Sequence, residues 1–178
     1  MYVGSHFAIP VVAATLVDLG CLAAGRSRLF SNRELLLVGF CGVLPDLLSP
    51  HLRLSARLTS WSHTVWFAIG LLPVLWMFFR KRETSSRWRM TAFCWIAAVL
   101  HLLGDAVSGG IAPFYPLTGF RLGWYLVPWR LWGKIDLGML TGTAVLVFAA
   151  TRWNRRITRC SEVSGRDSEP VCTLPMEF

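Results

Sequence analysis

Acid is scarce in this sequence. Aspartate and glutamate number 10 against 18 lysines and arginines, and charged residues make up only 16% of the chain. That is too little charge for an ordinary soluble surface. Cysteine is present but unpatterned. The five, Cys21, Cys41, Cys94, Cys160 and Cys172, are odd in number and contain no CxxC, so free thiols are expected and a thiolate metal site is not. The chain has no GxSxG, no P-loop and no HExxH, which removes three familiar routes to catalysis. No internal repeat is present. The N-terminal stretch lacks a basic leader and a small-residue cleavage site, and is expected to be a retained helix. Histidine is rare as well: there are four, and none follows His101.

What the sequence has is apolar length. Of 178 residues, 54% are hydrophobic, and the mean hydropathy is +0.49. This composition predicts an all-α polytopic membrane bundle in contact with the lipid bilayer. About five membrane segments are expected, over roughly 5–24, 34–48, 62–79, 90–109 and 135–151. Residues 1–157 read as one membrane helical domain and 158–178 as a polar, disordered cytoplasmic tail. The stretch 111–134, with Pro113, Pro116 and Pro128 among aromatics, reads as a re-entrant or interfacial loop.

The net charge of +8 does not point to nucleic acid, because the basic residues sit in short blocks at the ends of apolar segments. With five crossings, thirteen of the 18 basic residues fall on one side and five on the other. The positive-inside rule then gives N-out, C-in.

The chemistry gathers around Ala98-Val-Leu-His101-Leu-Leu-Gly-Asp105. A histidine and an aspartate four apart share one helix face. Ionisable side chains inside an apolar segment are costly, so such a pair is a functional-site hypothesis. The plainer reading is a pair that satisfies itself by hydrogen bonding. His6, Asp46 and His63 join it, since the five-segment topology carries all five residues to the same, extracytoplasmic end. Three imidazoles and two carboxylates suit zinc or a similar divalent ion. Arg121 and Arg130 in the 111–134 loop are candidates to bind substrate phosphate, against the default that they snorkel to headgroups.

The order His6, Leu44-Pro45-Asp46, Ser62-His63-Thr64, His101-Leu-Leu-Gly-Asp105 and Gly110 to Pro116 resembles the YdjM-like family. These are bacterial inner-membrane proteins described as membrane-bound metal-dependent hydrolases. The resemblance covers roughly residues 1–150. It implies His6, Asp46, His63, His101 and Asp105 as metal-site residues. The chain departs from the family pattern at Leu47 and Leu48, where a second acid is common, and at Leu58 to Trp61, where His-Arg-Gly is common. The same order also looks like the first part of zinc-dependent phospholipase C. On this reading the protein is a metal-dependent hydrolase of a phosphoester in a lipid or envelope component. Metal-activated water is the nucleophile, and Asp46 or Asp105 is the general base. The rival is a non-enzyme: a bundle whose His63 and His101 bind haem, whose polar cluster relays protons, or whose cluster only fixes packing.

Overall fold

The computed structural model describes residues 3–49 and 54–164. Five α-helices account for most of them: α1 (Val3–Ala23), α2 (Asn32–Leu48), α3 (Val65–Phe78), α4 (Thr84–Ser108) and α5 (Trp132–Ser164). Two 3₁₀ turns, Leu54–Thr59 and Trp61–His63, link α2 to α3, and a third, Trp129–Leu131, leads into α5. The α2 start follows from local chemistry. The Ser31 side chain accepts the Glu34 N–H at 3.3 Å, and the Glu34 carboxylate accepts the Ser31 N–H at 2.9 Å. This reciprocal capping box is worth about 1 kcal/mol.

The all-α bundle is as expected, but the number of crossings is not. Among the described residues three helices are long and apolar enough to cross a membrane: Val3–Ala23, Thr84–Ser108 and Trp132–Thr158. Helix α2 has 17 residues and α3 has 14, below the ~20 that a ~30 Å hydrocarbon core requires. Five expected crossings thus become three candidates. The N-out, C-in orientation and the extracytoplasmic placement of the site were counted over five crossings and lose that basis. Other boundaries move too. Helix α2 ends at Leu48 as expected, with Pro45 inside it, but α4 starts at Thr84, ahead of 90, and α5 continues to Ser164, well beyond 151. The rest of the expected tail, 165–178, lies outside the described residues, as does His51.

Helix α1 is central. It packs against α2, α5 and α4, while α4 also receives α2 and α3. The shared core includes Val11, Ala14, Val38, Leu71, Met90, Cys94 and Ala97. Between membrane helices the hydrophobic effect supplies little drive, so close backbone approach matters more. Gly42 provides it: a Cβ there would stand 2.3 Å from the His6 carbonyl oxygen. Backbone cannot yield as a side chain can. Gly42→Ala is therefore expected to push α1 from α2 and cost about 1–3 kcal/mol, read as a lower thermal midpoint in detergent. An unchanged midpoint would show that the two helices do not need this contact.

Helix α5 is tied to α1 through Asp136. Its carboxylate accepts the Gly4 and Ser5 backbone N–H groups, each at 3.0 Å, and the Ser5 hydroxyl. Asp136 thereby satisfies the free N–H groups at the start of a neighbouring helix. At the opposite end of α1, buried Asp18 accepts Arg28 Nε at 2.8 Å and the Leu29 and Phe30 N–H groups. Arg28 in turn reaches Thr151 of α5 at 2.9 Å. These two polar clamps fix α5 lengthwise, and they leave the first turn of α1 beside the ends of α2 and α4.

Candidate metal centre

Four side chains from three separate stretches meet at that end of the bundle. Asp46 comes from the last turn of α2, His63 from the 3₁₀ turn ahead of α3, and His101 and Asp105 from successive turns of α4. One ligand atom from each lies within 4.8 Å of all the others. His63 Nε2 is 3.2 Å from Asp46 Oδ1 and 3.3 Å from Asp105 Oδ2. His101 Nε2 is 3.3 Å from Asp105 Oδ2 and 3.7 Å from Asp46 Oδ1. The two Nε2 atoms stand 3.2 Å apart. The isolated His101–Asp105 pair is therefore not the unit, because His63 shares the same carboxylate oxygen. His63, His101 and Asp105 are wholly buried, and Asp46 retains 18% side-chain exposure.

The outer contacts decide what the imidazoles present to one another. His101 Nδ1 lies 2.7 Å from the Gly42 carbonyl. A carbonyl only accepts, so Nδ1 carries the proton, and neutral His101 aims the Nε2 lone pair inward. Ser62 Oγ donates to the Pro45 carbonyl at 2.8 Å. With that proton committed, its oxygen accepts from His63 Nδ1 at 3.1 Å, so His63 turns Nε2 inward, and that nitrogen offers a lone pair when the ring is neutral. Metal-binding histidines are held in this way, with the outer N–H on a carbonyl or another oxygen acceptor. Two lone pairs and two carboxylates would repel each other unless a cation or a proton lay between them. The donor set and its spacing fit a small divalent cation.

His6 is brought to the cluster, but in a different relation. Its Nε2 is 3.0 Å from Asp105 Oδ1, and its ring lies 3.9 Å from that of His101, centroid to centroid. Since a carboxylate accepts, His6 donates and orients Asp105. The sequence reading missed Arg57. This arginine of the Leu54–Thr59 turn is 7% exposed, and its Nη1 donates to Asp105 Oδ1 at 2.6 Å. An arginine in a short polar connector looks solvated; the available signal was its place between two ligand-bearing stretches. Ser62 positions His63, and Thr64 caps α3 by accepting the Phe67 N–H at 3.3 Å. Arg121 and Arg130 are exposed on the 111–134 loop.

A family model described as YdjM inner membrane protein matches residues 1–162. The chain belongs to the YdjM family. In this YdjM protein the matched span takes in all five helix starts and every residue of the cluster. No curated protein and no solved structure shows a significant match.

Burial alone would push the His63 pKa down, but its hydrogen bonds to Asp105 and Asp46 outweigh this and hold it above the usual histidine value. A proton thus competes for the place of a metal ion. Metal binding requires neutral imidazole. Zinc affinity is expected to fall as pH drops through the raised His63 pKa, by roughly tenfold per pH unit for one displaced proton. The fall should begin above the ~6.5 of an ordinary histidine. Competition titration with a zinc chelator across that range checks it; affinity that stays flat down to about pH 6 contradicts it.

Proposed function

We propose that the protein is a membrane-embedded, metal-dependent hydrolase that acts on a phosphoester of a lipid or envelope component in the bacterial inner membrane. The observation that carries this reading is the pair of outward-anchored imidazoles whose inner lone pairs converge on Asp46 and Asp105. A bound divalent ion, zinc by this donor set, would supply Lewis acidity and lower the pKa of a neighbouring water. His63, His101 and Asp105 would hold it. His6 and Arg57 fix the Asp105 carboxylate so that its second oxygen faces both imidazoles. Asp46, the least buried of the four, is placed to take a proton from an attacking water, which makes it the favoured general base. The apolar walls keep bulk water from the buried side of the cluster.

A proton relay is the second reading, because His6, Asp105, His63 and Asp46 form a continuous hydrogen-bonded line. Haem does not suit the geometry: two axial ligands face each other across the iron, whereas these Nε2 atoms stand only 3.2 Å apart with a carboxylate oxygen 3.3 Å from each. The test is phosphate release from a lipid phosphomonoester by the detergent-purified protein. Release that stops on chelation and returns with zinc supports the hydrolase. Stoichiometric zinc without release from any phosphoester offered would reject it.

A further inference from the structure

Helices α2 and α5 both pack on α1 but only slightly on each other. A groove of about 380 Å³ is left between them, within the size range of small-molecule sites. Leu35 and Leu36 of α2 form one wall, Leu140 and Val147 of α5 the other, and Val11 of α1 lies in the floor. Helices α1 and α5 are two of the three candidate spans, and most of the apolar length of α5 is left uncovered by the bundle. The groove therefore opens on hydrocarbon. Its lining is mainly bulky Leu, Val and Phe, whereas helix pairing in membranes favours rows of small residues. An acyl chain, as apolar as leucine and free to bend, is the better fit. From Leu140 to Val147 the groove runs roughly 10 Å, about a third of a ~30 Å hydrocarbon core, so a chain from a single leaflet spans it.

Charge at one end gives the headgroup. Asn32 lines the groove there and is exposed. Its Oδ1 accepts Arg28 Nη1 at 2.9 Å and the Thr151 hydroxyl at 3.4 Å. The nearby carboxylates are already taken, Asp18 by Arg28 and Glu34 by Arg82. Arg33, next to Asn32, and Arg155, one helical turn beyond Thr151 on the same face, are exposed and have no carboxylate partner among the described residues. Two unpaired arginines thus flank the polar end of an apolar groove. We propose that the groove between α2 and α5 seats one acyl chain of an anionic phospholipid whose headgroup lies on Arg33 and Arg155. Such a lipid bridges α5 to α2 where the protein itself scarcely does. Asn32 and Asp46 stand fourteen residues apart on α2, roughly 21 Å. The headgroup is thus remote from the metal centre: this lipid is a resident of the fold, not the substrate, and its site does not depend on the hydrolase reading.

The experiment uses the full chain, delipidated in detergent and titrated with phosphatidylglycerol or phosphatidylcholine of identical acyl chains. Bound lipid is counted by native mass spectrometry. Wild type is expected to bind one phosphatidylglycerol about 30-fold more tightly than phosphatidylcholine, about fivefold for each arginine. Arg33→Gln/Arg155→Gln should bring the two lipids level. Ala144→Trp, on the groove wall, fills the space and should weaken both lipids at least about tenfold, the loss of some two buried methylenes. Val145→Trp carries the same bulk at a side chain that is 63% exposed and outside the groove, and should bind as wild type does. Phosphatidylglycerol binding that is unchanged in Ala144→Trp, or lost equally in Val145→Trp, overturns the groove as the site. Equal affinity of the wild type for the two lipids overturns the headgroup assignment and the proposal with it. A wild type that binds neither lipid overturns it as well, and if that protein is a dimer, the groove is covered by a second copy.

Discussion

Substituting either His63 or His101 with alanine is expected to weaken zinc binding by more than about a hundredfold, beyond the 10- to 100-fold typical of losing an outer-shell partner. Each supplies an Nε2 lone pair directed at the centre, and the pair stand only 3.2 Å apart. Neither loss can be made good locally. His6 is already committed through Nε2 to Asp105, and no histidine follows His101. Folding should suffer far less, because α1, α2 and α4 pack through apolar and small residues away from the cluster. Ser62→Ala provides the graded comparison. It removes the nearer of the two hydroxyls at His63 Nδ1, leaving Ser60 Oγ at 3.3 Å, and should cost at most roughly tenfold in affinity. Equilibrium dialysis against buffered zinc reads all three. If His101→Ala binds zinc as tightly as wild type, α4 does not provide a ligand.

The largest loss of stability is expected from Asp105→Ala. This carboxylate is wholly buried and is the partner of Arg57, His6, His63 and His101 together. Removing it takes the carboxylate from a buried guanidinium, and breaking one side of a buried pair costs about 3–5 kcal/mol. Removing both sides costs less, because an apolar replacement leaves no orphan charge. The double variant Asp105→Ala/Arg57→Leu should therefore recover about 2 kcal/mol relative to Asp105→Ala alone, within the usual range of coupling between contacting residues. The comparison is made on zinc-free protein by thermal or denaturant unfolding in detergent. Additive losses would mean that the Arg57–Asp105 contact carries no net energy.

Much of the site could be read from residue order alone. The i, i+4 spacing of His101 and Asp105 in an apolar run fixed them on one face, and the positions of His6, Asp46 and His63 at segment ends brought them near. That convergence was expected from five crossings; the structure brings Asp46, His63, His101 and Asp105 together with three candidate crossings and two shorter helices. The count failed because hydropathy measures apolarity, while spanning also needs length. Helices α2 and α3 are apolar enough to look like crossings, but they are only 17 and 14 residues long. Arg57 was hidden for a different reason. Loop arginines are usually solvated, and only the fold of the connector shows that this one turns inward. Asp136 illustrates the same limit. It lies near the start of α5, yet its hydrogen bonds go to the N-terminus of α1. Sequence spacing reports neighbours within one helix; partners 130 residues apart become visible only when the helices are docked.

The central claim is that His63 and His101 bind one divalent ion together with aspartate oxygen. X-ray absorption at the zinc K-edge on the stoichiometrically loaded, detergent-purified protein tests it most directly. The expected spectrum shows nitrogen and oxygen neighbours at about 2.0–2.2 Å, with the multiple-scattering signature of two imidazoles, and loses one imidazole in His101→Ala. A shell of oxygen alone, or a two-imidazole spectrum unchanged in the His63→Ala/His101→Ala double variant, would contradict it.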